Sequence, residues 1–205
     1  MVPPRHCTGA LLAGGRSVRF GGSPKGLASV GGERIVDRAR TALAEASDDL
    51  VLVANDDNAA AWLPGVRVVR DVRPGAGALS GLHAALSAAP AGVLVLPWDA
   101  PFVPAALLRA LRDAGELSDA DAAVPRSSSP WGFEPLCGWY GPACMLIIEQ
   151  HLDANDHRAG GWQREVRTLH VDVSRWGDPT VLFLNVNTQE DLVRAERLFA
   201  QRDVP

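Results

Sequence analysis

The strongest constraint on the fold is the order in which apolar and amphipathic segments follow each other. Apolar runs of strand length alternate with longer segments that carry apolar residues at helical spacing. This pattern predicts strands at 8–13, 50–54, 66–69 and 92–96, and helices at 35–46, 79–88 and 104–113. Strands that alternate with helices in this order favour a doubly wound α/β fold, in which a mostly parallel sheet has helices on both faces. Such sheets bind ligands at the carboxyl ends of their strands.

The second half of the chain has a less regular pattern. Strands are predicted at 122–125, 134–140, 169–173 and 181–186. The polar turn at 127–130 has the composition of a mobile loop, which suggests a lid. The run Thr188-Gln189-Glu190-Asp191 resembles a capping box that opens a final helix. The inner face of that helix is predicted to carry Leu192, Ala195, Leu198 and Phe199.

Charge and cysteine content exclude several classes of protein. Twenty basic and 24 acidic residues leave a net charge of −4, which argues against binding to nucleic acids or acidic membranes, since such affinity comes from clustered basic charge. The three cysteines form no Cys-x-x-Cys pair or Cys/His cluster, so neither a disulfide framework nor a zinc site is expected. The sequence shows no signal-peptide core and no apolar run of membrane-spanning length. We therefore expect a cytoplasmic protein.

One lysine stands among nineteen arginines, and it ends a glycine-rich loop that follows the first predicted strand. Lys25 closes the run from Leu12 to Lys25, whose glycines suit the close approach of an anion. A lysine is a compact point charge on a thin stem, whereas arginine is a planar fork, so a crowded pocket of phosphate oxygens favours lysine. The loop therefore predicts a nucleoside triphosphate site. The alternative is that composition has drifted towards arginine and that the one remaining lysine has no special role.

Four segments together resemble the nucleotidyltransferases that join a nucleoside triphosphate to a phosphorylated acceptor. The loop matches neither a P-loop nor a Rossmann fingerprint. Its Leu12-Ala13-Gly14-Gly15 run, followed by Arg19, Gly21 and Lys25, is similar to the signature of these enzymes. The further matches are a second nucleotide loop at 71–82, a metal-aspartate turn at 98–102, and an acceptor half at 134–137 and 184–192. The acceptor half most resembles that of the molybdenum cofactor guanylyltransferases, and the resemblance extends over residues 8–198.

This resemblance implies a reaction and a set of substrates. The expected enzyme transfers GMP from GTP to molybdenum-bound molybdopterin and releases pyrophosphate, with Mg²⁺ as cofactor. The resemblance also implies a Rossmann-like fold with one domain over 1–205. That domain is divided into a nucleotide-binding half (8–115) and an acceptor-binding half (116–200). The implied substrates are small molecules. Transient contact with proteins that handle molybdopterin is also compatible with this reaction.

Three departures from the family pattern leave alternatives open. Pro24 stands where an acidic residue is common, Gly26 where alanine is usual, and Ala78 where proline is common. Transfer of CMP to the same cofactor, or of a nucleotide to another small phosphate, remains an alternative. A nucleotide-binding regulatory protein without turnover is a third.

The resemblance also implies roles for residues of the nucleotide half. The acceptor phosphate is largely a dianion at neutral pH, because its second pKa is about 6, so no catalytic base is required. Charge repulsion is the main obstacle, and positive charge, metal and positioning should supply the catalysis. The triphosphate is expected to bind along Leu12, Ala13, Gly14, Gly15 and Gly22. Arg19 and Lys25 would neutralise the departing pyrophosphate, and Asp99 would hold Mg²⁺ unless it is a helix N-cap before Pro101.

Base and acceptor recognition are assigned to four further residues. Asp71 can accept hydrogen bonds from the two neighbouring donors of guanine, although it could instead cap the loop that follows it. Asn55 is a second candidate for the same pocket. Asn185 and Asn187, two apart at the end of a predicted strand, are expected to face the acceptor, with capping of the last helix as the alternative.

Overall fold

The computed structural model describes residues 6–14, 24–73, 75–89 and 91–202. The strands are β1 (Thr8–Leu12), β2 (Ser29–Val30), β3 (Glu33–Arg34), β4 (Asp49–Val53), β5 (Arg67–Val69), β6 (Val93–Pro97), β7 (Ala122–Pro125), β8 (Gly138–Tyr140) and β9 (Thr168–Val171). The α-helices are α1 (Ile35–Ala44), α2 (Ala59–Trp62), α3 (Gly77–Ala88), α4 (Ala105–Glu116), α5 (Cys144–Asp153), α6 (Pro179–Leu182) and α7 (Gln189–Arg202). Short 3₁₀ turns cover Lys25–Leu27 and Trp162–Glu165.

Within the described residues, seven strands form one sheet in the order β5-β4-β1-β6-β8-β7-β9. The pairs β5/β4, β4/β1, β1/β6 and β7/β9 are parallel, and β8 is antiparallel to both of its neighbours. The predicted doubly wound, mostly parallel α/β fold is confirmed. A separate two-stranded ribbon joins β2 and β3.

Helices cover both faces of the sheet, which is why its inner strands are continuous apolar runs. One core contains Leu11 and Leu52 together with residues of α1 and α4. The other contains Ala10 and Val51 together with residues of α3 and α5. Successive strand residues point to opposite faces, so each strand supplies both cores in turn. No helix in the described residues is both long and apolar enough to cross a membrane.

The strand order reverses direction between β1 and β6. The chain passes from β1 through α1 to β4 and β5 on one side, then crosses by α3 to β6 on the other side of β1. In doubly wound sheets the crevice at such a switch point, beyond the carboxyl ends of the strands, is where ligands bind. This rule directs attention to the residues that follow β1, β4, β5 and β6.

The predicted strand at 181–186 is wrong. The segment begins with the short helix α6, whose N-cap Asp178 accepts a hydrogen bond from Thr180 N–H at 2.8 Å, with Pro179 in the first turn. These start signals outweigh the β-branched residues that suggested a strand. The rest of the segment still alternates, because Leu184 and Val186 are buried in a third core with α7 residues while Asn185 and Asn187 turn the other way.

Two other predictions in the second half have different outcomes. The strand predicted over 134–140 begins only at Gly138, because Cys137 N–H donates to Glu134 C=O and closes a turn before it. The capping box is confirmed: Thr188 Oγ1 accepts from Asp191 N–H at 3.1 Å, and the Asp191 carboxylate accepts from Thr188 N–H at 2.9 Å. Helix α5 was not predicted.

Candidate functional site

A cavity of about 1040 Å³ opens at the carboxyl ends of the parallel strands. This volume lies at the upper end of the range for small-molecule sites, about 300–1,000 Å³. The sequence-predicted residues that line it are Leu12, Ala13, Gly14, Lys25, Asn55, Asp71, Asp99, Asn185 and Asn187. The other three predicted residues, Gly15, Arg19 and Gly22, lie outside the described residues.

Four of the lining residues share one position relative to their strands. Gly14, Asn55, Asp71 and Asp99 each come two residues after the last residue of β1, β4, β5 and β6, respectively. Parallel strands end at the same edge of a sheet, so the fold brings these four residues to one crevice. The polar side chains of the site are therefore positioned by the sheet itself.

Lys25 joins three distant segments at the centre of the crevice. Its ammonium forms an ion pair with Asp99 and donates to Asn187 Oδ1 at 2.6 Å. The Lys25 and Asp99 side chains are only 13% and 7% exposed. The Asp99 carbonyl also accepts a hydrogen bond from Val186 N–H at 3.0 Å, which ties the segment of the two asparagines to the turn after β6. The loop lysine, the turn aspartate and the acceptor segment thus meet at one point.

Asp99 does not cap the helix that follows it. Helix α4 begins at Ala105 with Pro104 at the N-cap, and the Asp99 carboxylate is instead paired with Lys25. The asparagines do not cap the last helix with their side chains either, since Thr188 does so and Asn187 contacts Lys25. Both capping alternatives raised by the sequence are therefore wrong.

The oxygens of Asp99 and Asn187 converge on a single cationic group, the Lys25 ammonium. Among the described residues no group of three or more His, Cys, Asp or Glu side chains could hold a metal ion. Mg²⁺ is usually bound by one or two carboxylates together with substrate phosphates and water. The hard oxygen set at Asp99 fits a metal of this kind that arrives with a nucleotide.

Asp71 and Asn55 hold each other at the ends of neighbouring strands. Asn55 Nδ2 donates to Asp71 Oδ2 at 3.0 Å, and Asp71 N–H donates to Asn55 Oδ1 at 2.9 Å. Burial raises the pKa of Asp71, and the hydrogen bond from Asn55 partly offsets that shift. The turn after Asp71 is closed by Ala76 N–H and the Ser80 hydroxyl, which both donate to Arg73 C=O. Asn55 thus contributes to the pocket by orienting Asp71.

Two stacked tryptophans form part of the cavity wall. The rings of Trp62 and Trp98 lie 4.8 Å apart at 27°, and both residues are buried and line the cavity. A Cβ atom added at Gly26 would lie 2.5 Å from Trp98 Cε3. This contact explains why glycine stands at a position where the family usually has alanine. Trp62 was not among the predicted site residues, although it lines the cavity.

We expect Gly26→Ala to lower stability by about 1–3 kcal/mol, as overpacking does in a filled core, and to lower activity because Lys25 is the adjacent residue. Urea unfolding measures the first effect. Gly26→Ala should lower stability less in the Trp98→Leu background than in wild type, since the leucine has no six-membered ring to meet the added methyl group. The comparison is between the double variant and Trp98→Leu by itself. Wild-type stability in Gly26→Ala would contradict the packing explanation.

The opposite wall of the cavity comes from the turn between β7 and β8. Glu134, Pro135, Leu136 and Cys137 line it. The buried Tyr140 hydroxyl donates to Pro135 C=O at 2.7 Å and holds the turn in place. Burial raises the pKa of the Cys137 thiol, so this cysteine is not poised as a nucleophile.

Glu134 was not among the predicted site residues, although it belongs to the segment that carries the acceptor-half resemblance. Burial raises the pKa of Glu134, and a hydrogen bond from Ser127 partly offsets the shift. The 127–130 turn is itself closed by hydrogen bonds, with Ser127 N–H donating to Gly132 C=O at 3.1 Å and Ser129 Oγ to Phe133 C=O at 2.6 Å. These hydrogen bonds brace the turn internally, and a role as a lid stays a prediction.

Comparison with known proteins adds independent findings. Residues 9–171 match the model of the MobA-like NTP transferase domain. A probable molybdenum cofactor guanylyltransferase of Pelotomaculum thermopropionicum is 37% identical over 194 residues, covering 93% of this chain and 92% of the relative. A molybdenum cofactor guanylyltransferase of Desulfosudis oleivorans is 34% identical, covering 92% and 94%. The crystal structure of molybdopterin-guanine dinucleotide biosynthesis protein A from Archaeoglobus fulgidus shares the fold with a TM-score of 0.79, at 24% identity, and covers 95% of this chain and 99% of that one.

Proposed function

The chain belongs to the MobA-like NTP transferase family, and we propose that it transfers GMP from GTP to molybdenum-bound molybdopterin, with release of pyrophosphate. The observation that carries this proposal is the meeting of Lys25, Asp99 and Asn187 in a crevice that also contains Asp71. A cation, a carboxylate and an amide from three separate segments suit a site where two anionic substrates must approach each other. The names of the relatives support the guanine nucleotide and the acceptor.

The proposed reaction is a displacement at the α-phosphorus of GTP. An oxygen of the acceptor phosphate forms the new bond to phosphorus, and the bond from that phosphorus to the bridging oxygen of pyrophosphate breaks with its electron pair. The acceptor phosphate is already ionised near neutral pH, since its second pKa is about 6, so no side chain has to remove a proton. When bound, Mg²⁺ would supply positive charge to the phosphate oxygens.

The residues of the chain supply position and charge. We assign Asp99 to hold the metal, with Asn187 Oδ1 next to it. Lys25 stabilises the charge that grows on departing pyrophosphate. The main chain at Leu12, Ala13 and Gly14, and in the part of the loop that carries Gly15, Arg19 and Gly22, is assigned to the triphosphate. In this scheme residues 8–115 bind the nucleotide and 116–200 bind the acceptor through Asn185 and Asn187.

Base selection is assigned to Asp71. Guanine presents N1–H and an N2 amino donor side by side, and a carboxylate can accept from both. Cytosine presents a donor beside a ring acceptor, which would face a carboxylate oxygen unfavourably. The Asn55 contact orients the Asp71 carboxylate, and this geometry favours GMP transfer over the CMP alternative.

The direct test is a transfer assay with purified protein, molybdopterin and each of GTP, CTP, ATP and UTP in the presence of MgCl₂. We expect pyrophosphate release that requires both GTP and the acceptor. Equal use of CTP would support the cytidylyl alternative. Nucleotide binding without turnover would support a regulatory protein, and a thermal-shift series with the same nucleotides measures that binding.

We expect Asp71→Asn to reduce the preference for GTP over CTP about 5- to 150-fold, since one oxygen is replaced by a donor that faces guanine donors at a cost of about 1–3 kcal/mol. The ratio of kcat/KM for the two nucleotides measures this preference, while affinity for free triphosphate should change little. Asp57→Asn is a matched control, because Asp57 is an exposed residue paired with Arg70. An unchanged ratio in Asp71→Asn would move base selection to other residues.

A further inference from the structure

We infer that Glu134 recognises the pterin ring of the acceptor by accepting hydrogen bonds from the ring's two neighbouring donors. This inference rests on the proposed function. It assigns to the cavity wall formed by residues 134–137, the acceptor wall, a specificity residue that corresponds to Asp71 on the guanine side. The inference follows from the position of Glu134 beside the sheet, from its charge, from the hydrogen bonds that hold its backbone, and from the chemistry of the pterin ring.

Asp71 and Glu134 lie on either side of the Lys25–Asp99 pair. Asp71 follows β5 at one edge of the sheet, Asp99 follows β6, and Glu134 lies in the connection between β7 and β8, beyond β6 in the strand order. At about 4.8 Å between neighbouring strands, β5 lies roughly 14 Å from β6 on one side, and β8 and β7 lie roughly 5–10 Å from it on the other. All three carboxylates line one cavity. The expected product has a ring at each end and phosphates in the middle. It therefore matches the order of Asp71, the Lys25–Asp99 pair and Glu134 across the sheet.

Glu134 is the charged group of the acceptor wall. Among the polar residues that line this part of the cavity, Asn187 accepts from Lys25, and Asn185 and Glu134 line the cavity as well. Within the described ranges Glu134 forms no ion pair, and the Ser127 side chain partly offsets the rise of its pKa on burial. A carboxylate with no cation beside it in the described residues would repel the phosphate of an acceptor. It suits a ligand part that offers N–H donors and no negative charge.

The pterin ring offers that pattern. Its N3–H and its 2-amino group are adjacent donors, arranged as in the pyrimidine ring of guanine. The two oxygens of one carboxylate can accept from both, as proposed for Asp71 and GTP. An asparagine or glutamine amide can accept from one donor only, and its own NH₂ would face the other.

The backbone around Glu134 is held in place before any ligand binds. Glu134 N–H donates to Pro125 C=O at 3.1 Å, and Glu134 C=O accepts from Cys137 N–H at 3.2 Å. The next residue is anchored by the buried Tyr140 hydroxyl at 2.7 Å. The backbone of such a braced turn has little conformational entropy left to lose on binding, which suits a specificity residue.

The first experiment separates acceptor recognition from nucleotide recognition. In Glu134→Gln we expect the KM for molybdopterin to rise about tenfold or more, with the KM for GTP within twofold of wild type. Asp71→Asn should show the reverse pattern. Glu45→Gln, a change at an exposed residue that pairs with Arg109 on the surface, should alter neither value. An equal rise of both KM values in Glu134→Gln, or no rise for molybdopterin, would overturn the inference.

The second experiment tests the ring contact directly and does not depend on turnover. Pterin and lumazine differ at position 2, where lumazine has a carbonyl acceptor in place of the amino donor. We expect wild-type protein to bind pterin about tenfold more tightly than lumazine, measured by fluorescence titration in the presence of GTP and MgCl₂, and Glu134→Gln to lose most of this difference. Equal binding of the two rings by wild-type protein, or no binding of pterin, would overturn the inference even if Glu134→Gln failed to fold.

The two experiments also separate this inference from the proposed function. Absence of GMP transfer by wild-type protein, together with selective binding of pterin that depends on Glu134, would overturn the proposed reaction and retain the ring contact. Normal GMP transfer with no discrimination between pterin and lumazine would do the opposite.

Discussion

Asp99→Asn is expected to lower kcat at least about 100-fold while leaving the fold intact, in line with the 10²- to 10³-fold cost of removing one preorganised electrostatic group from an active site. The asparagine keeps nearly the same shape, and its Oδ1 can still accept from Lys25. It cannot supply the negative charge that a divalent cation requires. The backbone carbonyl at this position still accepts from Val186 N–H, so the acceptor segment should remain attached.

The measurement is kcat as a function of MgCl₂ concentration, together with the melting temperature. We expect the variant to need much more metal, or to show no metal-dependent turnover at all, at a melting temperature within a few degrees of wild type. Asp57→Asn serves again as a control that removes an aspartate charge at an exposed position. Normal turnover accompanied by a lowered melting temperature would show that Asp99 stabilises the fold and has no part in the chemistry.

Lys25→Ala is expected to reduce kcat by a similar factor of about 10²–10³, since it removes the cation assigned to the departing pyrophosphate. It also leaves the Asp99 carboxylate, 7% exposed, without its ion-pair partner. Removal of one partner from a buried pair costs about 3–5 kcal/mol, and less where the pair retains access to water. For a chain of this length, each kcal/mol lowers the melting temperature by about 2–4 °C. We therefore expect a clear loss of stability as well as activity.

Lys25→Arg separates charge from shape. The lysine ammonium fits between Asp99 and Asn187 with only 13% of the side chain exposed. A guanidinium keeps the charge but brings a planar group with five donors into that space. We expect it to restore stability better than activity, with kcat below about a tenth of wild type. Full activity in this variant would contradict the argument that the loop requires lysine.

The single lysine permits a further check on the same residue. Amine-directed acetylation can modify a side chain only at Lys25, because the other nineteen basic residues are arginines. GTP with MgCl₂ should protect Lys25 from acetylation if both bind beside it. Lys25→Arg is the matched control, since it leaves no lysine to modify.

Much of the nucleotide half could be predicted from the sequence because its signals are local. The apolar runs of β1, β4 and β6 have helices after them, and this order requires a parallel sheet whose ligands bind at one edge. The resemblance assigned roles to Asp71 and Asp99, both residues follow predicted strands, and both line the cavity. The family resemblance stated from these motifs is confirmed by the match over residues 9–171.

The acceptor half was harder to predict because its signals conflict. Val181 and Val186 suggested a strand, but Asp178 and Pro179 start a helix whose first hydrogen bond outweighs that preference. Asn185 and Asn187 nevertheless face the cavity, since Leu184 and Val186 are held in the core with α7. The predicted direction of the two asparagine side chains was therefore correct although the predicted strand was wrong. Burial of alternate residues in this segment produces the same alternation of side chains as a strand.

Local patterns were enough to establish the fold class, the edge of the sheet where a ligand binds and the residue types found there. The partners of those residues depended on tertiary structure. Lys25 and Asn187 are 162 positions apart, and the space at Gly26 depends on Trp98, which follows β6. The physical reason is range: hydrophobic period, capping and turn chemistry act over a few residues and are written in consecutive positions. Hydrogen bonds, ion pairs and steric contacts act over a few ångströms, whatever the separation in the chain, and only the packed sheet and helices bring such groups together.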